Sequence, residues 1–383
     1  MDFDLTEEQR LLQESVGKLV ADEYDFEKRK AYAKEPAGYS EARWAHYAEL
    51  GLLGLPFPER LGGSDGTPVE TMIVMEAFGR GLVLEPYLAT VILGGGFLRL
   101  AGSAAQRQEL IPAIAEGRLR LAFAYTERQS RYDLADVATT ARASGGGHVL
   151  NGQKGVVLHG DSADRLIVSA RTAGGPHDRE GVSLFLVDPR ANGVSIQGYP
   201  TVDGLRAAEI GFSDVRLGPD ALIGPKDQAL PIILRVIDAA TAAVCAEAVG
   251  AMAALHELTV EYLKTRKQFG VLIGSFQVLQ HRAVDMLVSL EQARSMTYLA
   301  TMMADSEDTA ERRRMISAAK VQIGRSARLV GQQAIQLHGG IGMTAEYKAG
   351  HYFKRASMID TMFGDADHHL AIVARGGGLI DPI

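Results

Sequence analysis

The residues best suited to chemistry fall in two short segments of the second half of the chain. Arg266-Lys-Gln-Phe-Gly270 leads on to Gln277, and Gln336-Leu-His-Gly-Gly340 leads on to Ile341-Gly342. A guanidinium such as that of Arg266 is a bidentate partner for phosphate, and paired glycines such as Gly339 and Gly340 let a backbone come close to a ligand. The plainer alternatives are a solvated helix end for Arg266-Lys267 and a helix C-cap for the two glycines. Metal chemistry is poorly served, because His368 and His369 are adjacent and neighbours on a helix point about 100° apart. No metal site is expected. Cys245 is the only cysteine, which excludes an internal disulfide and any cysteine-rich zinc or iron–sulfur site, and its alanine and valine neighbours mark it as a small buried residue. No GxGxxG opens a dinucleotide-binding unit. Arg312-Arg-Arg314 reads as a solvated helix face.

The elements that must carry these residues show up as two changes of pattern. Thr6-Glu-Glu-Gln9 has the spacing of a capping box, and apolar residues then recur at helical intervals. Further helices fit 40–53, 67–80, 91–101 and 104–116. From about 119 the period shortens, and 121–125, 182–187 and 194–197 read as strands, with Asn151-Gly152 and Asn192-Gly193 as turns. Long helical spacing returns over 228–264, 275–304 and 309–337, with a last helix near Ala366. This predicts an α+β chain of three domains: an N-terminal helical domain over 1–118, a middle β domain over 119–224 and a C-terminal helical bundle over 225–383. The 383 residues carry a net charge of −7 with 46% apolar residues, which fits an ordinary globular chain and offers no broad basic field for nucleic acid. The uncharged, largely apolar stretch 86–98 is shorter than the roughly 18 to 20 residues of a membrane span, and the acidic, polar start is unlike a signal peptide. A cytoplasmic protein is expected.

In order and separation these segments resemble the acyl-CoA dehydrogenase family of flavoproteins, and the resemblance covers nearly the whole chain. The signature around Arg266 and Gln277 and that around Gln336 to Glu346-Tyr347 are its most specific parts. Pro58-Glu-Arg-Leu-Gly-Gly63, Thr126-Glu127, Asn151-Gly-Gln-Lys154 and Phe212-Ser-Asp-Val-Arg216 agree more weakly. The resemblance implies a helical domain, a middle β-barrel domain and a C-terminal four-helix bundle, with FAD as cofactor and an acyl-CoA as substrate. It also implies assembly into tetramers and an electron-transfer flavoprotein as acceptor. In the family a carboxylate removes the α-proton of the thioester while the β-hydride passes to the flavin, which requires a base at the α-carbon and a polarised carbonyl. The residues implied to grip a neighbouring subunit's FAD are Arg266, Phe269, Gln277, Gln336, Gly339 and Gly340, whereas Thr126 belongs to the part that cradles this chain's own flavin ring. His338 is expected to pack near the cofactor.

The departures from the family pattern are as informative. The usual catalytic Glu falls on Phe363, followed by Gly364 and Asp365, and the alternative position used by a minority of members falls on Ala240. Neither side chain can accept a proton. The usual Thr-Glu-Pro-Gly-x-Gly-Ser-Asp reads Thr126-Glu-Arg-Gln-Ser-Arg-Tyr-Asp133, and the usual Trp-Ile-Thr reads Val156-Val-Leu158. The resemblance is thus to a non-catalytic small subunit of a heteromeric member, such as pimeloyl-CoA dehydrogenase or the steroid-degrading enzymes, paired with a homologous subunit. A self-sufficient enzyme with a displaced base is the first rival. Glu247 leads its candidates, seven residues from Ala240 and on nearly the same helical face, and Asp365 and Asp367 follow. A scaffold that keeps the fold without redox chemistry is a second rival, and flavin-dependent oxygenation or desulfination a third.

Overall fold

The computed structural model of the protein describes residues 4–377. The first half contains α1 (Glu7–Glu23), α2 (Phe26–Tyr32), α3 (Glu41–Glu49), α4 (Pro68–Gly81), a π-helical segment (Leu88–Gly94) running into α5 (Gly95–Ala101), and α6 (Ala104–Ala115). Strands β1 (Leu121–Ala124), β2 (Thr140–Ser144), β3 (Gly147–Leu158), β4 (Arg165–Arg171), β5 (Val182–Val187), β6 (Val194–Pro200), β7 (Arg206–Leu217) and β8 (Leu222–Ile223) follow. Then come α7 (Leu230–Thr265), a hairpin of β9 (Lys267–Gln268) and β10 (Val271–Leu272), α8 (Gln277–Met303), α9 (Thr309–His338), α10 (Ala349–Thr361) and α11 (Ala366–Arg375). The chain is α+β, with helices first, strands next and helices last.

One compact unit holds residues 4–31, Pro68–Val83 and 241–377. The capping box is formed, Thr6 accepting from the Gln9 amide while the Gln9 side chain accepts from Thr6 N, so α1 starts where the spacing requires. In α7 the run of alanines favours helix and leaves little side chain to separate it from its neighbours. Ala242 packs with Ala300, Ala304, Ile316 and Ala319, which joins α7, α8 and α9. Glycines bring α4 and α7 closer still: a methyl on Gly79 would collide with the Glu247 carbonyl, and one on Gly250 with the Glu76 carbonyl. Asp308 caps α9 through the Ala310 and Glu311 amides, and Gly339, at φ 61°, ends it.

The other unit comprises Tyr32–Thr67 and Leu84–Ala240. Its sheet runs β6-β7-β3-β2-β4-β5-β8 among the described residues, with β1 added in parallel beside β4. The core beneath is apolar and includes Leu150, Leu166, Val168, Phe185, Ile210 and Phe212, with β6 adding only the partly buried Val194.

Three local readings change. Asn151-Gly152 is no turn between strands but lies within β3, where the register against β7 slips between Leu150 and Gly152 and the Asn151 side chain exchanges hydrogen bonds with Asp214. Helices α2 and α10 carry Arg29, Arg355 and Asp360 on their buried sides, and those charges hide the apolar period. Arg312 is no solvated residue: it is 1% exposed and donates to the Ser306 carbonyl at 2.6 Å.

Candidate cofactor and active site

Both signature segments sit at helix ends of the first unit, where backbone groups are free of the helix ladder. Arg266 follows the last residue of α7, and its carbonyl accepts from Ile273 N at 2.9 Å, closing the β9–β10 hairpin. At the hairpin tip Phe269 is 91% exposed with φ 53°, a backbone state unusual for a bulky residue. Gln277 opens α8, and Gln336 lies in the last turn of α9. An aromatic cluster joins the two segments: Tyr262, one turn before Arg266, stacks on His338 with ring centres 4.7 Å apart, and Tyr347 lies 5.1 Å from His338. Burial holds the His338 pKa below its ordinary value, so the ring packs as a neutral group. Arg266, Phe269, Gln277, Gln336, Gly339 and Gly340 are all exposed, and no atom lies within 4 Å of where a Cβ on Gly339 or Gly340 would stand. An exposed guanidinium, two primary amides and an open glycine backbone fit the pyrophosphate and adenine end of a dinucleotide.

Thr126 belongs to the other unit. It follows β1, is half-buried, and its carbonyl accepts from Gly155 N at 2.8 Å. Here two motifs that are separate in sequence meet. Lys154 Nζ, wholly buried, donates to Glu127 Oε1 at 2.7 Å, to Ser169 Oγ at 3.1 Å and to the Tyr125 carbonyl at 3.3 Å. Glu127 also accepts from Ala138 N, Thr139 N and the Gln129 amide. Burial would raise the Glu127 carboxyl, but the Lys154 charge and these hydrogen bonds overcome it and hold the pKa at about 2. The spacing of the weaker motifs carried this pair without showing that one contacts the other. Two residues past Lys154, Val156 takes φ 50° and is 48% exposed, and its N–H faces Glu209 Oε1 at 3.3 Å. Neither Val156 nor Leu158 has a hydroxyl to offer a flavin ring.

The two positions where the resemblance puts a base hold no carboxylate. Ala240 is fully buried, and Phe363, 9% exposed, adopts φ 59° between α10 and α11. Asp365 is the N-cap of α11, its Oδ1 accepting from His368 N at 2.8 Å, and Asp367 is exposed in the first turn. Glu247 is 5% exposed, and both oxygens are taken by Arg355, Nε at 2.6 Å and Nη2 at 2.7 Å. Each Glu247 oxygen thus accepts a charge-assisted hydrogen bond from the same guanidinium. Sequence reasoning missed Arg355 and Lys320, whose partners lie far along the chain and leave no local pattern.

Models of the acyl-CoA dehydrogenase N-terminal, middle and C-terminal domains match residues 6–118, 122–215 and 230–378 in that order. The caffeyl-CoA reductase–Etf complex subunit CarC of Acetobacterium woodii is 30% identical over 80% of this chain and 82% of its own length. The chain belongs to the acyl-CoA dehydrogenase family. Among solved structures this acyl-CoA dehydrogenase-family chain is similar to a variant of the Tcur3481-Tcur3483 steroid ACAD, with TM-score 0.86 and 28% identity over 97% of this chain and 99% of that one. The FAD complex of PigA aligns with TM-score 0.90 and 28% identity, covering 98% of each chain. The domain order and α+β architecture are thus the family's, and the chain is an oxidoreductase of that family. No helix among the described residues is long and apolar enough to cross a membrane.

Proposed function

We propose that this chain is the subunit of a heteromeric, FAD-dependent acyl-CoA dehydrogenase that supplies cofactor-binding surface and lacks the catalytic base. The observation that carries this reading is the state of the two usual base positions and of the leading displaced candidate: Phe363 and Ala240 cannot take a proton, and Glu247 is locked to Arg355. Asp365 is occupied as a helix cap. FAD, when bound, supplies the acceptor for the hydride that leaves the β-carbon of the thioester. Arg266, Gln277, Gln336, Gly339 and Gly340 hold the phosphate and adenine end of a neighbouring subunit's FAD on this reading, with Phe269 beside them, and Thr126 is what remains of the ring side of this chain's own flavin pocket. The base comes from a homologous subunit, and an electron-transfer flavoprotein takes the electrons. The two-component steroid ACAD and the Etf-complex subunit among the similar proteins support an assembly of this kind.

The test is to purify the chain alone and with its co-expressed homologous subunit, then record flavin absorbance and acyl-CoA-dependent reduction of a dye acceptor. Turnover in the mixture and none in the isolated chain is the expected result. An isolated chain with stoichiometric FAD and full turnover would overturn the reading and return the displaced base to first place.

A further inference from the structure

The turn that carries residue 363 is more elaborately held than a helix connection needs. Lys320 lies in the middle of α9, wholly buried, and its Nζ donates to the Asp360 carbonyl at 2.8 Å and to the Gly364 carbonyl at 2.8 Å. Those two acceptors stand on either side of Phe363, in the last turn of α10 and directly after the ring. Between them the backbone enters the left-handed region at Phe363 (φ 59°) and continues to Gly364 at φ 120°. A Cβ at Gly364 would strike His368 and His369, so glycine is required there for two independent reasons. Left-handed backbone at a bulky residue is strained and persists only where the surroundings impose it. The surroundings here come from four helices. Lys320 reaches in from α9, and Arg355 pins α10 to Glu247 of α7 while its Nη1 approaches Met362 Sδ at 3.8 Å. Asp365 fixes the start of α11.

A helix end could be closed far more simply by a glycine at its C-cap. Committing a buried ammonium to two carbonyls makes sense if the aim of the residue 363 side chain must be fixed. We infer that Lys320 is a positioning residue that sets the direction of the side chain at position 363. The inference rests on the reading of Phe363 as the vacated base position, and it adds that the turn remains shaped to present a base.

Two readouts on the full-length chain, co-expressed with its homologous subunit, test this. In the first, 4-trifluoromethylphenylalanine replaces Phe363 or, as a control on the same helix, Phe353, and ¹⁹F spectra are compared with and without Lys320→Met. The expected result is a shifted and broadened resonance at 363 with the 353 resonance unmoved. An unchanged 363 resonance overturns the inference. If Lys320→Met does not fold, as judged by circular dichroism, Lys320→Leu, which also removes the donor, replaces it under the same criterion. In the second readout, Phe363→Glu is assayed for acyl-CoA-dependent dye reduction alone and combined with Lys320→Met. The double variant is expected to lose about tenfold or more in kcat, with KM for the acyl-CoA within about twofold, because misplacing a base weakens the chemical step. An equal kcat in the two variants also overturns the inference. A Phe363→Glu protein without activity counts against the reading of position 363 as a base site, while the ¹⁹F comparison still decides the role of Lys320.

Discussion

Glu127 and Lys154 show what a buried charge demands of its neighbours. Each is nearly or wholly shielded from solvent, and each has its hydrogen-bonding capacity filled by the other and by nearby backbone and side-chain groups. Glu127→Gln leaves the ammonium without its counter-charge and is expected to cost about 3–5 kcal/mol in urea denaturation. Replacing both residues together, Glu127→Leu with Lys154→Met, is expected to cost less than the single change, since no charge is stranded. A double variant as unstable as the sum of the singles would count against that account. The pH dependence has a definite sign. The folded carboxyl titrates at about 2, whereas glutamate in an unfolded chain titrates near about 4.3. Across that window the unfolded chain takes up a proton that the folded chain refuses, so stability present above about pH 4.3 is lost as pH falls toward 2. Glu127→Gln should flatten that part of the acid limb.

At the scale of elements, the crossing of α4 with α7 depends on having no side chain at two points. Gly250→Ala forces a methyl against the Glu76 carbonyl, a backbone atom that cannot swing aside, and is expected to destabilise the protein by about 1–3 kcal/mol, although alanine is the better helix former. A thermal midpoint equal to that of the unaltered protein would show that the helices can separate freely. The helices themselves were readable because α1, α7, α8 and α9 carry long apolar periods, and the capping box fixed the start of α1. Helix α10 was not, because its buried face includes Arg355 and Asp360, and their partners come from distant parts of the chain. The break in β3 looked like a turn for a related reason: Asn-Gly is as suited to a bulge as to a hairpin, and the pairing of Asn151 with Asp214 that decides between them joins residues far apart in sequence. The same limit applies to the site. The residues proposed to grip the cofactor lie in two short motifs that the family resemblance singles out, whereas Lys320 and Arg355 act only through tertiary contacts.

For the whole molecule, the helical bundle has more apolar surface than its own core uses. On α8, Met286, Leu290 and Ala293 are buried, and Val284, Leu287 and Val288, on the far side of the helix, are 56%, 42% and 52% exposed. The same unit exposes Phe269 at 91%, Val278 at 60% and Met343 at 76%, on or beside the segments that hold Arg266, Gln277 and Gly340. A helix with apolar residues on both faces in a chain of net charge −7 needs a second surface to cover it. A homologous subunit is the occupant that the proposed function requires, and its docking there would bring the exposed Arg266 and the open glycines to a cofactor held by the neighbour. Val284→Asp with Val288→Asp places two carboxylates in that contact. Burying an unpaired charge costs several kcal/mol, so the dissociation constant of the assembly should rise about a hundredfold or more, while the circular dichroism of the subunit stays as it was. Light scattering across a dilution series measures the mass, and flavin absorbance after gel filtration measures retained FAD. Both should fall together in the double variant. Loss of FAD at unchanged mass would separate cofactor binding from assembly, and unchanged mass with retained FAD would remove this face of α8 as the interface.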